Sequence, residues 1–395
     1  MTDAPLHRRT LLRAAALLAA SSAFETSMFC AAKAETPAAS SLPSLAASQA
    51  AFAFKLAKAL ETDRNANVVS SPASAAAALA VIALFADEQL TQSIVAALSL
   101  QPNNGRRDLD ALLLAAKPTE AGPLALANSL ALDASLKPSA SLLGEFKQAH
   151  VKLFDDKALD DAALAHINGW VSEVTHGRIP KLLESMPDGA VLIALNALHF
   201  KDRWQTAFDP AKTEPKAFMR LDGSTVEKTF MHSGPRSALF RSDDRFIAAR
   251  LPFATARFAL TVITTKREPA PLKDFEPVAA WLSGDGFERG EGQIAIPPLA
   301  LSAQLELKPA LNALGLKDDG LIGFSGRPPS ITAIAQRVDF TANEDGAEAA
   351  AATAVIASRS ASTRYTNFIA DKPFLLALND RTTGLILLSG YVATP

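Results

Sequence analysis

The sequence predicts an α+β fold, and three observations carry that reading. Helical patterns fill the early part of the chain. Continuous apolar, strand-like runs fill the later part. No internal repeat and no linker divides the 395 residues, of which 49% are hydrophobic and 20% charged, so one large domain with a sizeable core is expected.

Residues 1–34 read as a leader. His7-Arg8-Arg9-Thr10-Leu11-Leu12-Arg13 resembles a twin-arginine export signal, and an Ala/Leu-rich apolar stretch follows it. Ala32-Lys33-Ala34 offers small residues for cleavage before Glu35. The apolar stretch is too short and too interrupted to span a bilayer, so no integral membrane segment is expected. The bland alternative is a disordered basic N-terminus. Cys30 is the single cysteine and lies inside this leader. Met28-Phe29 before it fit a lipoprotein acceptor poorly. A processed chain would hold no thiol and no disulfide, despite an oxidising periplasmic or extracellular destination. Such a leader points to a bacterial, exported protein. Residues 35–44 are rich in Ala, Ser and Pro and read as a flexible tether, which leaves 45–395 as the domain.

Within that domain Leu45 to Leu60 carries a helical pattern. Pro72 to Ala86 reads as an Ala-rich buried helix with Ser71 near its start. Val191 to Phe200 is continuously apolar and strand-like. Phe258 to Thr265, Gln293 to Ile296 and Ile331 to Thr341 are further strands.

No enzyme is legible. The six histidines (His7, His150, His166, His176, His199 and His232) show no metal-ligand spacing. His199, inside an apolar run, reads as a hydrogen-bonded core or sheet-face residue. There is no Gly-x-Ser-x-Gly elbow and no phosphate-cradling Gly loop. Ser71 precedes a proline in a buried-helix context and reads as a packed hydroxyl. No cofactor or metal is expected. The net charge of −2 gives no reason to expect nucleic acid. The Arg106-Arg107 pair reads as a solvated turn rather than a glycosaminoglycan site.

The most informative segment is Asn343 to Ala354: an acidic turn, Gly346, then small residues, followed by the polar run Ala357 to Arg364. As a helix the Ala run is short and has no apolar stripe, and it leads into Val355-Ile356, which prefer strands. Written as a strand, Ala347, Ala349, Ala351 and Thr353 fall on one face. Glu348, Ala350 and Ala352 fall on the other. Residues this small can slide between existing strands without overpacking, and Gly346 supplies a hinge.

This segment resembles the reactive-loop hinge of the serpins, and further motifs resemble that family in its own order. They are Asn67-Val-Val-Ser-Ser-Pro-Ala-Ser74, Ile167-Asn-Gly-Trp-Val171 with Thr175-His-Gly-Arg-Ile179, and Asn196-Ala-Leu-His-Phe-Lys-Asp-Arg-Trp204 with Phe208-Asp-Pro210. Ala370-Asp-Lys-Pro-Phe374 and Gly384-Leu-Ile-Leu-Leu-Ser-Gly390 complete the set. The resemblance implies several helices packed on three mostly antiparallel β-sheets with an exposed reactive loop. It implies a suicide substrate of serine proteases, in most cases a monomer, that forms a covalent acyl complex and then inserts its loop into the central sheet. It assigns Glu344, Gly346, Ala347, Glu348, Ala349, Ala350, Ala351, Ala352 and Thr353 to the hinge. Ser71, Ser74, Asn196, Trp204 and Gln336 fall in the region where the sheet opens.

Three positions depart from the family pattern. Ala347 stands for the usual Thr or Ser. Gln336 stands for a His, which implies a network with weaker pH dependence. Pro298 stands for a Lys that would pair with Glu344, which implies easier opening at the top of the sheet. The family's spacing counted from Glu344 puts Ser360 before the scissile bond, whereas a loop one residue shorter puts Arg359 there and suits a trypsin-like target. Ala357 or Ser360 would instead suit an elastase- or subtilisin-like protease. The alternative of another class is a non-inhibitory member used as a carrier or binding protein.

Overall fold

The protein is described by a computed structural model that covers residues 42–115, 122–155, 158–325, 329–347 and 365–395. The leader, and the loop positions Glu348, Ala349, Ala350, Ala351, Ala352, Thr353, Arg359 and Ser360, lie outside the described residues.

Strand Leu192–Phe200 is the structural axis of the chain, and all nine of its residues are buried. Their side chains alternate between two cores. Ile193, Leu195 and Ala197 face a cluster that includes Ile167 and Val171 of helix Asp161–Val174. Leu192, Ala194, Leu198 and Phe200 face the main core, which holds Ala76, Leu79 and Ala80 of helix Pro72–Ile82. A strand covered on both faces reads as an unbroken apolar run, and this one does.

It sits in the middle of a five-stranded sheet, in the order Leu299–Glu306, Ala333–Ala342, Leu192–Phe200, Leu124–Leu132, Lys152–Phe154. Two of the four pairings are antiparallel. The pairings of Ala333–Ala342 with Leu192–Phe200 and of Leu124–Leu132 with Lys152–Phe154 are parallel.

The remaining large sheet is a ten-stranded ladder. Strand Glu288–Ile296 joins two blocks within it. Its first half pairs with Arg236–Ser242, and its second half with Thr225–His232 and, in parallel, with Tyr365–Ile369. The three sheets implied by the resemblance therefore correspond to one five-stranded sheet and two blocks that share this strand. Gly292 allows the sharing: a Cβ there would fall 2.1 Å from the carbonyl oxygen of Thr366.

Helix Pro72–Ile82 is buried along its whole length. Ser71 caps it by accepting from the Ser74 N–H at 3.2 Å, and Pro72 occupies the first turn, where no N–H is needed. Its alanines let the helix approach the sheet closely. The predicted helix to Ala86 ends instead at Ile82 and tightens into a 3-10 turn, Ala83–Phe85. The first helix runs Leu42–Leu60, so it begins inside the stretch read as a tether. Leu45, Phe52 and Leu56 pack into the main core, while Ala50, Ala53, Phe54 and Ala57 pack into a second one. No helix among the described residues is long and apolar enough to cross a membrane.

Candidate functional site: a sheet seam and the turn above it

The candidate site is the junction between strands Leu192–Phe200 and Ala333–Ala342. These parallel neighbours are in register from Ala333 opposite Ile193 to Val338 opposite Leu198, and no further. Beyond Val338 the second strand continues to Ala342, paired only on its far side with Leu299–Ser302. The seam therefore opens toward its top.

The chain reverses in that opening. The Asn343 side-chain oxygen accepts from the N–H groups of Asp345 at 3.0 Å and Gly346 at 3.3 Å, and the Asn343 N–H donates to the Gly346 carbonyl at 2.9 Å. Gly346–Ala347 then runs back antiparallel to Asp202–Arg203, the continuation of Leu192–Phe200. Gly346 has φ +143°, and a Cβ there would lie 2.5 Å from the Asp202 carbonyl oxygen, so only glycine fits. Ala347 is fully buried.

Each carbonyl of this turn is held from the facing chain. The Trp204 indole Nε1–H donates to the Asn343 carbonyl at 2.8 Å, the Phe208 N–H to the Glu344 carbonyl at 2.9 Å, and the Trp204 N–H to the Asp345 carbonyl at 2.9 Å. Trp204 is itself fixed by stacking on Phe253, with ring centres 4.4 Å apart, and Phe200 meets Phe253 edge-on at 4.9 Å. Arg236 lies 4.8 Å from the Phe208 ring centre and donates to the Thr206 carbonyl at 2.9 Å. Burial lowers its pKa to about 10, which leaves it charged at neutral pH.

Glu344 does not lack a partner for want of a lysine at position 298. Its Oε1 accepts from the Thr213 hydroxyl at 2.7 Å. The easier opening expected from Pro298 is thus opposed by a hydrogen bond that the sequence did not advertise.

Lower in the seam, Gln336 makes a two-point clamp. The Ser71 N–H donates to its Oε1 at 2.8 Å, and its Nε2 donates to the Ser71 carbonyl at 2.9 Å. The Ser71 hydroxyl donates to the Leu387 carbonyl at 2.5 Å while it caps the helix. This ties the start of the buried helix to the strand at the seam. All of these groups are buried, where an amide that both donates and accepts satisfies two backbone groups at once.

Asn196 lies opposite Gln336 in the parallel register but bonds elsewhere. Its Nδ2 donates to Oδ1 of Asn128 on the other neighbouring strand, and its Oδ1 has no partner among the described residues. Nor does the Ser74 hydroxyl, so Ser74 joins the cluster through its backbone alone. The expected five-residue group thus resolves into three parts: Trp204 at the top, Ser71, Ser74 and Gln336 below, and Asn196 with Asn128 across the next strand. Sequence reasoning missed Asn128 and Thr213, and it placed Asn343 in the acidic turn without reading its side-chain bonds. A polar residue at the centre of the Leu124–Leu132 strand was the available signal for the first.

Three comparisons bear on this arrangement. A family model described as Serpin (serine protease inhibitor) matches residues 47–395. Alpha-2-antiplasmin of Mus musculus is 30% identical over 352 residues, covering 85% of this chain and 69% of that one. The thermophilic serpin tengpin, solved in its native state, superimposes with a TM-score of 0.76 at 22% identity, covering 89% and 94% of the two chains. Human thyroxine-binding globulin in complex with its ligand superimposes at 0.75, also at 22% identity, covering 90% and 99%.

Replacing Gln336 with Leu keeps the volume but strands the Ser71 N–H and carbonyl in a buried site. Denaturant unfolding should show a loss of roughly 2–4 kcal/mol, the cost of orphaning two buried backbone groups. An unchanged unfolding midpoint would mean that the clamp holds nothing.

Proposed function

The chain belongs to the serpin family, and we propose that it is an exported inhibitor of serine proteases that acts once, as a suicide substrate. The observation that carries this reading is the Gly346–Ala347 pairing. Two residues of a new strand already lie antiparallel to Asp202–Arg203 at the open top of the seam. After Glu348, a run of small residues, Ala349 to Ala354, follows in sequence, free of Pro and of bulky side chains.

The chemistry is supplied by the target. The protease's serine hydroxyl adds to the carbonyl of the residue before the scissile bond, and the amine of the next residue leaves with a proton. An acyl ester to the inhibitor remains. The freed arm, Ala347 to about Ile356, then enters between Leu192–Phe200 and Ala333–Ala342. The six parallel register pairs of the seam are replaced by two antiparallel ladders, one on each side of the new strand. The ester-linked protease is carried along and distorted before water can release it. The intact fold is held by a barrier, so its stability is a rate as well as an equilibrium.

Arg359 fits a trypsin-like target through its guanidinium, and Ser360 is the assignment by family spacing. The twin-arginine-like leader supports action outside the cytoplasm, on a protease met in the periplasm or beyond. A single chain suffices for the mechanism. The competing reading is a non-inhibitory carrier, a role that the thyroxine-bound neighbour's fold accommodates.

Mixing with trypsin should give a detergent-resistant band of summed mass on a denaturing gel. Arg359→Ala should slow trypsin trapping by at least about a hundredfold, the scale of losing a charged specificity contact. The released fragment should begin at Ser360, and a start at Ala361 moves the bond one residue on.

Ala351→Arg puts a long charged side chain into the strand that must enter the sheet. It should turn the inhibitor into a substrate that is cleaved at full rate and forms no stable complex. An undiminished yield of complex would remove strand insertion from the account.

A nick in the loop should raise the thermal midpoint of the nicked protein well above that of the intact one. A carrier that never inserts its loop would melt at the same temperature in both forms.

A further inference from the structure

The two residue pairs at the mouth of the seam set the register of everything that enters after them. Gly346 stands opposite Arg203 and Ala347 opposite Asp202. No bulge separates that ladder from strand Leu192–Phe200. The Lys201 N–H donates to the Pro123 carbonyl at 2.7 Å, in step with Leu124 opposite Phe200. An antiparallel strand continued at this register advances one residue as its partner retreats one. Ala349 then falls opposite Phe200, Ala351 opposite Leu198, Thr353 opposite Asn196 and Val355 opposite Ala194. Residues directly opposite each other share a face. Ala194, Leu198 and Phe200 lie in the main core, with Ala76, Leu79 and Ala80 of helix Pro72–Ile82, and Asn196 lies on the same face between them. Ala347 already belongs to that core, as this register requires. Thr353 is therefore the one polar side chain that the arm from Ala349 to Val355 brings to the inner face.

Asn196 meets it with the complementary need. The residue is 2% exposed, and its Nδ2 is spent on Asn128 Oδ1. Its own Oδ1 is a buried acceptor with no partner among the described residues. A bare buried acceptor costs free energy, and so does a hydroxyl buried without an acceptor. Directly opposed residues have Cβ atoms about 4.5–5.5 Å apart, which lets a threonine hydroxyl reach an asparagine amide oxygen.

We propose that Thr353 is a positioning residue for the inserted strand, and that its hydroxyl donates to Asn196 Oδ1 once the arm has entered the seam. This rests on the insertion reading given above. The bond satisfies in the inserted form an atom that the intact fold leaves bare, so it adds to the driving force of insertion and not to the hold of the closed seam. It also fixes the register. A slip of one residue brings Ala352 or Ala354 opposite Asn196 and turns the hydroxyl to the other face, away from its acceptor.

The test compares thermal unfolding of the intact and the trypsin-nicked chain, in a guanidinium concentration that brings both midpoints into range. Thr353→Val removes the hydroxyl and keeps the volume. It should leave the intact midpoint unchanged and lower the nicked midpoint by about 2 °C, the scale of one lost buried hydrogen bond in a chain of this size. Asn196→Leu removes the acceptor, and in that background Thr353→Val should no longer lower the nicked midpoint. A nicked Thr353→Val protein as stable as the unsubstituted nicked protein, or more so, overturns the proposal, because a buried hydroxyl without an acceptor makes valine the better residue. So does an equal loss with and without Asn196, which would place the acceptor elsewhere. If Asn196→Leu does not fold, the sign of the shift in nicked Thr353→Val decides. The insertion reading itself fails on a different result: a nick that leaves the midpoint of the unsubstituted chain where it was.

Discussion

The rest of this structure depends on one weak pairing, the short parallel ladder between Leu192–Phe200 and Ala333–Ala342. It joins six residues on each side and ends where the strands still have residues left. Parallel ladders are slightly less stable per residue than antiparallel ones. If this pair separates, every other pairing of the central sheet can be kept, with Leu299–Glu306 moving together with Ala333–Ala342. Helix Asp161–Val174 covers one face of the seam and helix Pro72–Ile82 lies under the other, so a separation must be accommodated by both layers. That explains why the underlying helix is almost wholly small. Ala73, Ser74, Ala75, Ala76, Ala77 and Ala78 leave the sheet smooth enough to shift above them.

What holds the seam through side chains is a neutral amide clamp below and a hydroxyl-to-carboxylate bond at the top. Gln336 binds both backbone groups of Ser71, and Thr213 binds Glu344. An amide does not titrate, so the lower clamp is insensitive to pH over the range where an imidazole in its place would change charge. The upper turn depends on backbone carbonyls held by Trp204 and Phe208, and those aromatics are fixed by their own packing on Phe253 and under Arg236. These directional bonds add to the apolar packing of both seam strands against the two cores.

Much of this was legible in the sequence. The unbroken apolar run at 191–200 marked a strand covered on both faces, and the order of helical and strand-like patterns marked the fold class. Gly346 was read as a hinge, and the structure shows why the position takes glycine: a positive φ and a tight contact with Asp202. Other features were not legible because they depend on contacts between distant segments. Thr213 looks like any exposed loop threonine until Glu344 is folded beside it. Asn196 was grouped with Gln336, and the register does place them opposite each other, yet its amide turns to Asn128 on the next strand. The helix starting at Leu42 was hidden by an Ser-Leu-Pro-Ser opening that reads as a tether. Pro is tolerated in the first helical turn, and composition alone does not reveal that.

If the loop inserts as proposed, the turn above the seam also constrains the order of events. Gly346 sits so close to Asp202 and Arg203 that no side chain fits, while Ala347, the next residue, is already buried. The residue at the mouth must therefore lack a Cβ for the backbone to approach, and the one after it must be small enough to pass into the core. Insertion that began elsewhere would first have to break the hydrogen bonds to the Asn343, Glu344 and Asp345 carbonyls. Entry from the top keeps all three. It extends an existing two-residue ladder and separates the six pairs of the seam one after another. On the proposed reading, the first two residues of the added strand are already paired in the intact protein, and the Gln336–Ser71 clamp lies lower along the same seam.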